Sequence, residues 1–422
     1  MINKLKPKSD FSKNVLTLMT GTTIAQAIPI AISPILTRIY TPEDFGIFAL
    51  YVAMTSIFGS IANGRYEVAI MLPRKDEDAI NILALGLIIN IILSIFLFLA
   101  VFLFNDYIVE LLNNKDISKW LYLIPFSVFL MGCFNLLSYF NNRKKLYKDL
   151  AQANIYKSIG MAVVQLCLGI LKVGVFGLIS GQFISQIISN TKLFFNIKKL
   201  DLFVSIRSKK IIILAKKYKN FFKFDVISTI FNTISNIGMP LVITIFFNVT
   251  TVGYYFFANK MVRLPLSFIL GSLSQVYYQE ASSLYRKDTK QLLSFTLNIQ
   301  KKILIFILPT LVVVSIIGPF LFEFIFGSKW IVAGEYIKYF AIYVLFNSLY
   351  SPISTLGDIL MKQKLVLYFN ISLVLNIIFC MYIGNNIFDS FKYTLLLVSI
   401  NGALHFILLN IYMLNYLKGY LK

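Results

Sequence analysis

Charge, histidine and cysteine are all scarce in this chain of 422 residues. Asp, Glu, Lys and Arg make up 14% of it, where a soluble domain carries about a quarter. There is one histidine, and the three cysteines, Cys133, Cys167 and Cys380, all fall inside apolar runs. Such placement offers neither a disulfide framework nor a Cys/His metal site. No P-loop and no helical H-E-x-x-H occurs, which argues against ATP hydrolysis and zinc-protease chemistry. Asp76-Glu77-Asp78 spells the D-x-D of enzymes that hold a metal-nucleotide sugar. Without a nucleotide-binding domain around it, the triplet reads as a solvated charge run.

Apolar residues are what the chain has in excess. They make up 58% of it, mean hydropathy is +0.75 and the pI is near 9.6. This is too oily for water, so the excess faces lipid. A pI this high in a soluble protein would suggest nucleic acid. In a membrane chain it reflects Lys and Arg retained in cytoplasmic loops, so the bilayer is a partner and nucleic acid is not.

A spanning helix needs about 20 apolar residues. That window predicts twelve spans, at 14–37, 44–64, 79–104, 118–140, 150–171, 174–194, 221–247, 251–278, 296–318, 333–360, 366–384 and 392–415. The short alternating segments of a membrane barrel are absent, so the expected fold class is all-α. The basic N-terminal stretch resembles the start of a signal peptide, but its apolar run continues to about Leu36 without a cleavage site. It is read as a retained first helix.

Charge placement orients the spans. With the N-terminus inside, the inner pieces collect Lys4, Lys6, Lys8 and Lys13, then Arg74 and Lys75, then Arg143, Lys144, Lys145 and Lys148. The central stretch adds a run from Lys192 to Lys223, and the second half adds Arg286, Lys287, Lys301, Lys302, Lys362 and Lys364. The outer pieces hold only Arg38, Lys115, Lys119, Lys172, Lys329 and Lys392. Both termini are therefore expected on the cytoplasmic side. The loops are too short for a separate catalytic domain.

The longest hydrophilic piece divides the spans six and six. The expected organisation is a bundle over 1–195, a basic amphipathic linker over 196–220 lying on anionic lipid, and a second bundle over 221–422. The halves echo each other faintly. In each, a proline-interrupted helix (Pro29 and Pro34, or Pro240) leads through a short loop to an aromatic-glycine start at Gly46 or Gly253. Interrupted helices at matching places point to a transporter built from repeats.

Two motifs carry a family resemblance. The element T-R-x-Y-T-P-E-D-F-G-x-F runs from Thr37 to Phe48, and the block G-R-Y-E-V-A-I-M-L-P from Gly64 to Pro73. With the flanking residues 11–80 these resemble the Wzx-type O-antigen and capsule flippases of the multidrug/oligosaccharidyl-lipid/polysaccharide exporter superfamily. The second half matches only in hydropathy and layout. The resemblance implies two six-helix bundles around a V-shaped central cavity, as in the drug exporters of that superfamily, working by alternating access. It implies an undecaprenyl-pyrophosphate-linked oligosaccharide as cargo. A glycan polymerase and a chain-length regulator are the expected protein partners.

Such cargo demands a polar cavity and positive charge at membrane depth, where ionisable groups default to functional hypotheses. Lys260 and Arg263 share one face of the eighth span, and an arginine grips phosphate oxygens in bidentate fashion. A structural pair serving carbonyls is the bland alternative. Lys157 extends the cationic path or snorkels to the interface. Arg65, beside Tyr66 and Glu67, either meets the pyrophosphate at the cytoplasmic end or anchors the helix end. Arg38 with Glu43 and Asp44 suggests an outer ion-pair cluster, and Thr20, Thr22, Thr23 and Gln26 suggest a cavity lining. No cofactor is expected. Asp225, Asp358 and His405 are the candidates for coupling to a proton or Na⁺ gradient, although interfacial placement and a hydrogen bond inside the bundle account for them as well. Two rival functions stay open: a membrane glycan polymerase or transferase, and a small-molecule exporter on the same fold.

Overall fold

The computed structural model describes residues 10–198, 202–360 and 362–419, and among them no strand occurs. The chain divides into two compact units, one up to Thr233 and one from Ile234 onward. Among the described residues, seven helices are long and apolar enough to cross a membrane, or eight if a pair bent by 59° at Gly238 is one span. Every one of the twelve predicted segments falls on helix for most of its length.

In the first unit, α1 (Asp10–Ile39) contains Pro29 and Pro34. Pro34 has no N–H to give the Ile30 carbonyl. The Ser33 hydroxyl donates to that carbonyl instead, at 2.6 Å, so the helix passes the proline with the bond replaced. A capping box then starts α2 (Pro42–Gly59). The Thr41 hydroxyl accepts the Asp44 N–H at 3.1 Å, and the Asp44 carboxylate accepts the Thr41 N–H at 2.9 Å, with Pro42 in the first turn where it loses no bond.

Past Gly59 the helix breaks. Gly64 and Arg65 both take left-handed backbone, at φ 58° and 64°, before a single turn, α3 (Tyr66–Ala69). The long α4 (Asp76–Leu111) follows. At 1.5 Å per residue it is about 54 Å long, against a hydrocarbon layer of about 30 Å. Its side chains Ile92, Ile95, Phe96, Phe102 and Leu103 are exposed, as a lipid-facing helix requires. The turn α5 (Ser118–Leu121) leads to α6 (Ile124–Arg143), α7 (Tyr147–Ile170) and α8 (Val175–Lys198). A β-carbon on Gly132 of α6 would lie 2.5 Å from the Asn90 amide of α4, so glycine sets how close these helices come.

The acidic triplet at the head of α4 is a clamp. Arg143 Nε donates to Asp76 at 2.9 Å and Lys144 also bonds Asp76, while Lys210 Nζ lies 2.9 Å from Glu77 and 3.7 Å from Asp78. The Glu77 carboxylate accordingly raises the Lys210 ammonium above its ordinary value.

Lys210 belongs to α9 (Ser208–Lys217), in the stretch expected to lie on lipid. One face of this helix is instead docked on the bundle. Leu214 is buried in a core shared with Tyr66, Ile80, Leu83, Leu136 and Phe140. Tyr66 donates to the Ala215 carbonyl at 3.1 Å, and Asn81 bonds both Ser205 O and Arg207 N. The opposite face leaves Ile212 and Ile213 exposed. The amphipathic pattern was legible; it is the bundle end that takes one side of it.

An irregular turn, Phe221–Asp225, opens α10 (Val226–Ile237). The first unit ends within α10, at Thr233, and the second unit holds α11 (Met239–Phe246), α12 (Val249–Lys287), α13 (Thr289–Phe326), α14 (Ile331–Tyr350), α15 (Leu356–Ile359), α16 (Gln363–Phe388) and α17 (Phe391–Gly419). Its tightest contact is backbone on backbone. A β-carbon on Gly334 of α14 would stand 2.5 Å from the Gly318 carbonyl of α13, the small-residue packing by which helices associate in lipid. Phe257 packs against Trp330 and Phe326 with ring centroids 4.5 and 4.8 Å away.

Candidate functional site

Lys157 lies ten residues into α7, about 15 Å along the axis. Its ammonium sits 4.5 Å from the centroid of the Phe134 ring on α6, a cation–π arrangement. Phe134 also lines a cavity of about 290 Å³ between α1, α6 and α7, together with Thr22, Ser138, Asn142 and Asn154. No carboxylate pairs with Lys157 among the described residues, and the buried Ser138 hydroxyl has no protein partner. The result is a positive charge over an aromatic ring that also lines a recess carrying a few polar side chains, in a helix otherwise suited to hydrocarbon.

Two further candidate cations, Lys260 and Arg263, belong to the second unit. They lie about 16 and 21 Å into α12. The Arg263 guanidinium is 5.5 Å from the Tyr343 ring centroid of α14, and its Nε donates to Asn259 at 2.9 Å. A narrow cleft places Ser235, Asn236, Tyr255 and Ser399 around it. Lys260 rests 6.0 Å from the Phe256 ring of its own helix. The two therefore share a helix but not a set of neighbours, and neither has an ion-pair partner among the described residues.

The remaining candidates fall elsewhere. Arg65 Nη1 is paired with the Glu67 carboxylate at 3.0 Å, and Glu67 is buried, with 2% of its side chain exposed. Arg38 is exposed at the end of α1. It forms no ion pair with Glu43 or Asp44 among the described residues, because the Asp44 carboxylate caps α2. Asp225 closes the irregular turn before α10. His405 Nε2 bonds the Phe369 carbonyl at 2.9 Å, tying α17 to α16. The side chain of Asp358 lies outside the described residues.

Sequence reading missed two features here. Glu67 was noted only as a neighbour of Arg65, yet it is the buried carboxylate of the first unit. The recess that Phe134 lines went unseen as a unit. Its signal was present in the spacing: Ser138 and Asn142 are four apart on α6, and Asn154 and Lys157 three apart on α7, so each pair occupies one helix face.

A family profile described as "Polysaccharide biosynthesis protein" matches residues 35–335. The succinoglycan biosynthesis transport protein ExoT of Rhizobium meliloti (strain 1021) is 22% identical over 339 residues, which are 76% of this chain and 63% of that protein. The chain thus spans less than two thirds of the length of this relative. An inward-closed structure of the lipid II flippase MurJ superposes with a TM-score of 0.71 at 16% identity, covering 97% of this chain and 87% of that one. An inward-facing multidrug transporter of the MATE family gives 0.64 at 13% identity, covering 96% and 95%. The likenesses to the two solved structures show a shared fold, and the long apolar helices make the chain a multi-pass membrane protein.

Proposed function

Because the chain belongs to the polysaccharide biosynthesis protein family, we propose that it is a flippase for undecaprenyl-pyrophosphate-linked oligosaccharide repeat units in the bacterial inner membrane. Twelve spans in two six-helix bundles, with both termini cytoplasmic, carry the cargo from the inner to the outer leaflet by alternating access. The chain is a transporter and performs no chemistry on the glycan.

One observation carries the reading: Lys157, Lys260 and Arg263, which fall in the expected fifth and eighth spans, have no carboxylate partner among the described residues. An uncompensated cation in hydrocarbon is costly, and a pyrophosphate supplies the missing negative charge. Ring contacts from Phe134 and Tyr343 hold two of these cations in place without neutralising them. Similarity to ExoT, a succinoglycan biosynthesis transport protein, supports a glycan as cargo. Reset of the cycle draws on a proton or Na⁺ gradient, or on the membrane potential, worth about 2.3 kcal/mol per charge per 100 mV. A glycan polymerase and a chain-length regulator act on the delivered units.

Deletion in the native host with leaflet-resolved analysis of lipid-linked glycan tests this. Single repeat units reachable only from the cytoplasm, with surface polysaccharide lost, are expected. Units that reach the outer leaflet but fail to elongate would move the protein to the polymerase class. Unchanged glycan with new drug sensitivity would make it a small-molecule exporter.

A further inference from the structure

The end of the first unit opposite the basic loops carries a second cleft, unrelated to the intramembrane cations. Three connections meet there: the turn into α2, the segment around α5 between α4 and α6, and the turn between α7 and α8. Together they enclose about 660 Å³, within the size range of small-ligand sites. Five charged side chains line it, Glu43, Asp44, Lys115, Asp116 and Lys119, together with the indole of Trp120.

Three properties restrict what fits. The chain has two tryptophans; Trp330 is wholly buried, so the partly exposed one is Trp120. The Phe176 ring lies 5.9 Å from it, tilted by 46°, and props the indole. Next, no ion pair among the described residues engages Glu43, Lys115, Asp116 or Lys119. Donors and acceptors are thus both on offer. Finally, three acids against two lysines leave the cleft near neutral, so a pyrophosphate would meet more carboxylate than ammonium.

We propose that this cleft is a glycan-binding subsite, in which a sugar ring lies against Trp120 while its hydroxyls bond Asp116, Glu43 and the two lysines. A sugar ring presents polarised C–H groups that suit the negative face of an indole. Its hydroxyls both donate and accept, so they satisfy carboxylate and ammonium alike. The inference rests on the glycan reading above and extends it: the intramembrane cations take the pyrophosphate, and this cleft takes the sugars at the far side. Charge-assisted bonds to hydroxyls in an open site give weak, reversible capture, as release demands.

The test uses the purified full-length chain in lipid nanodiscs and its tryptophan emission. The probe is the oligosaccharide repeat unit released by mild acid from the host's own lipid-linked glycan, with inorganic pyrophosphate as counter-probe. A saturable emission change with the oligosaccharide is expected, half-complete on the order of 1 mM, and none with pyrophosphate. The change should vanish in Trp120→Phe, whose remaining Trp330 emission reports that the variant is folded. Asp116→Asn should weaken binding about fivefold, the effect of one lost hydrogen bond. A flat titration, a change that survives in Trp120→Phe, or a response to pyrophosphate would overturn the subsite. Binding is read without transport, so a flat titration beside a deletion strain that traps lipid-linked glycan would fault the cleft alone.

Discussion

The Lys157 ammonium on α7 lies 4.5 Å from the ring centroid of Phe134 on α6, and no acid among the described residues pairs with it. A charge held by an aromatic face stays a charge, whereas one held by a carboxylate is cancelled. That difference separates a binding group from a structural one. Lys157→Ala is therefore expected to cut surface polysaccharide about tenfold or more, the effect of about 1.4 kcal/mol or greater on cargo capture. Immunoblots should show the variant at the normal level, and Lys157→Arg should retain part of the export. Full export by Lys157→Ala would remove it from the cargo path.

Arg263 makes a different demand. Its Nε is committed to Asn259 and its plane to Tyr343, which leaves the far side of the guanidinium for a phosphate oxygen. Arg263→Ala should abolish export at normal expression. Arg263→Lys should fail to rescue it, because an ammonium cannot reproduce the planar fork. Export measured by surface glycan in the two strains decides the matter, and rescue by lysine would show that charge alone suffices.

The pair between Arg65 and the buried Glu67 should appear as stability. Arg65→Ala strands a carboxylate away from water, which costs about 3 kcal/mol. The double variant Arg65→Ala/Glu67→Ala should recover most of that loss. Thermal unfolding in detergent measures both, and equal loss in the single and double variants would mean the pair is not coupled.

Docking of α9 gives a prediction for a region whose sequence showed a basic amphipathic pattern but not what it packs on. Leu214→Ala removes a buried side chain from the shared core, a loss of about 2–5 kcal/mol at that contact. Limited trypsin digestion should then cut sooner after Lys209, Lys210, Lys216 or Lys217. An unchanged digestion rate would mean that the polar bonds of Asn81 and Tyr66 hold the helix without Leu214.

The outline of the fold was readable because lipid imposes a strong rule on composition: long apolar runs became helices, and the basic loops fell between them. Pairings were not readable. The triplet Asp76-Glu77-Asp78 looked like a solvated run, yet it binds Arg143, Lys144 and Lys210, which lie far along the chain. Asp44 seemed available to Arg38, but a cap three residues long is a local contact and claimed it first. His405 gave a titratable side chain to the sequence and a backbone hydrogen bond to the structure. Local chemistry follows from neighbours in sequence, and partners across helices follow only from packing.

The docking of α9 also changes what the stretch after α8 can do. A free basic loop would act as slack, letting its ends part by many ångströms at little entropic cost. With Ser205, Arg207, Lys210, Leu214 and Ala215 all fastened to the first unit, that slack is gone. The residues that follow are held too: Tyr218 and Phe221 pack on the same core, and a β-carbon on Gly64 would stand 2.8 Å from the Phe222 ring. The next break in the helical path is the 59° bend at Gly238. A substitution at Gly238 is therefore expected to alter the rate of transport before it alters affinity for cargo.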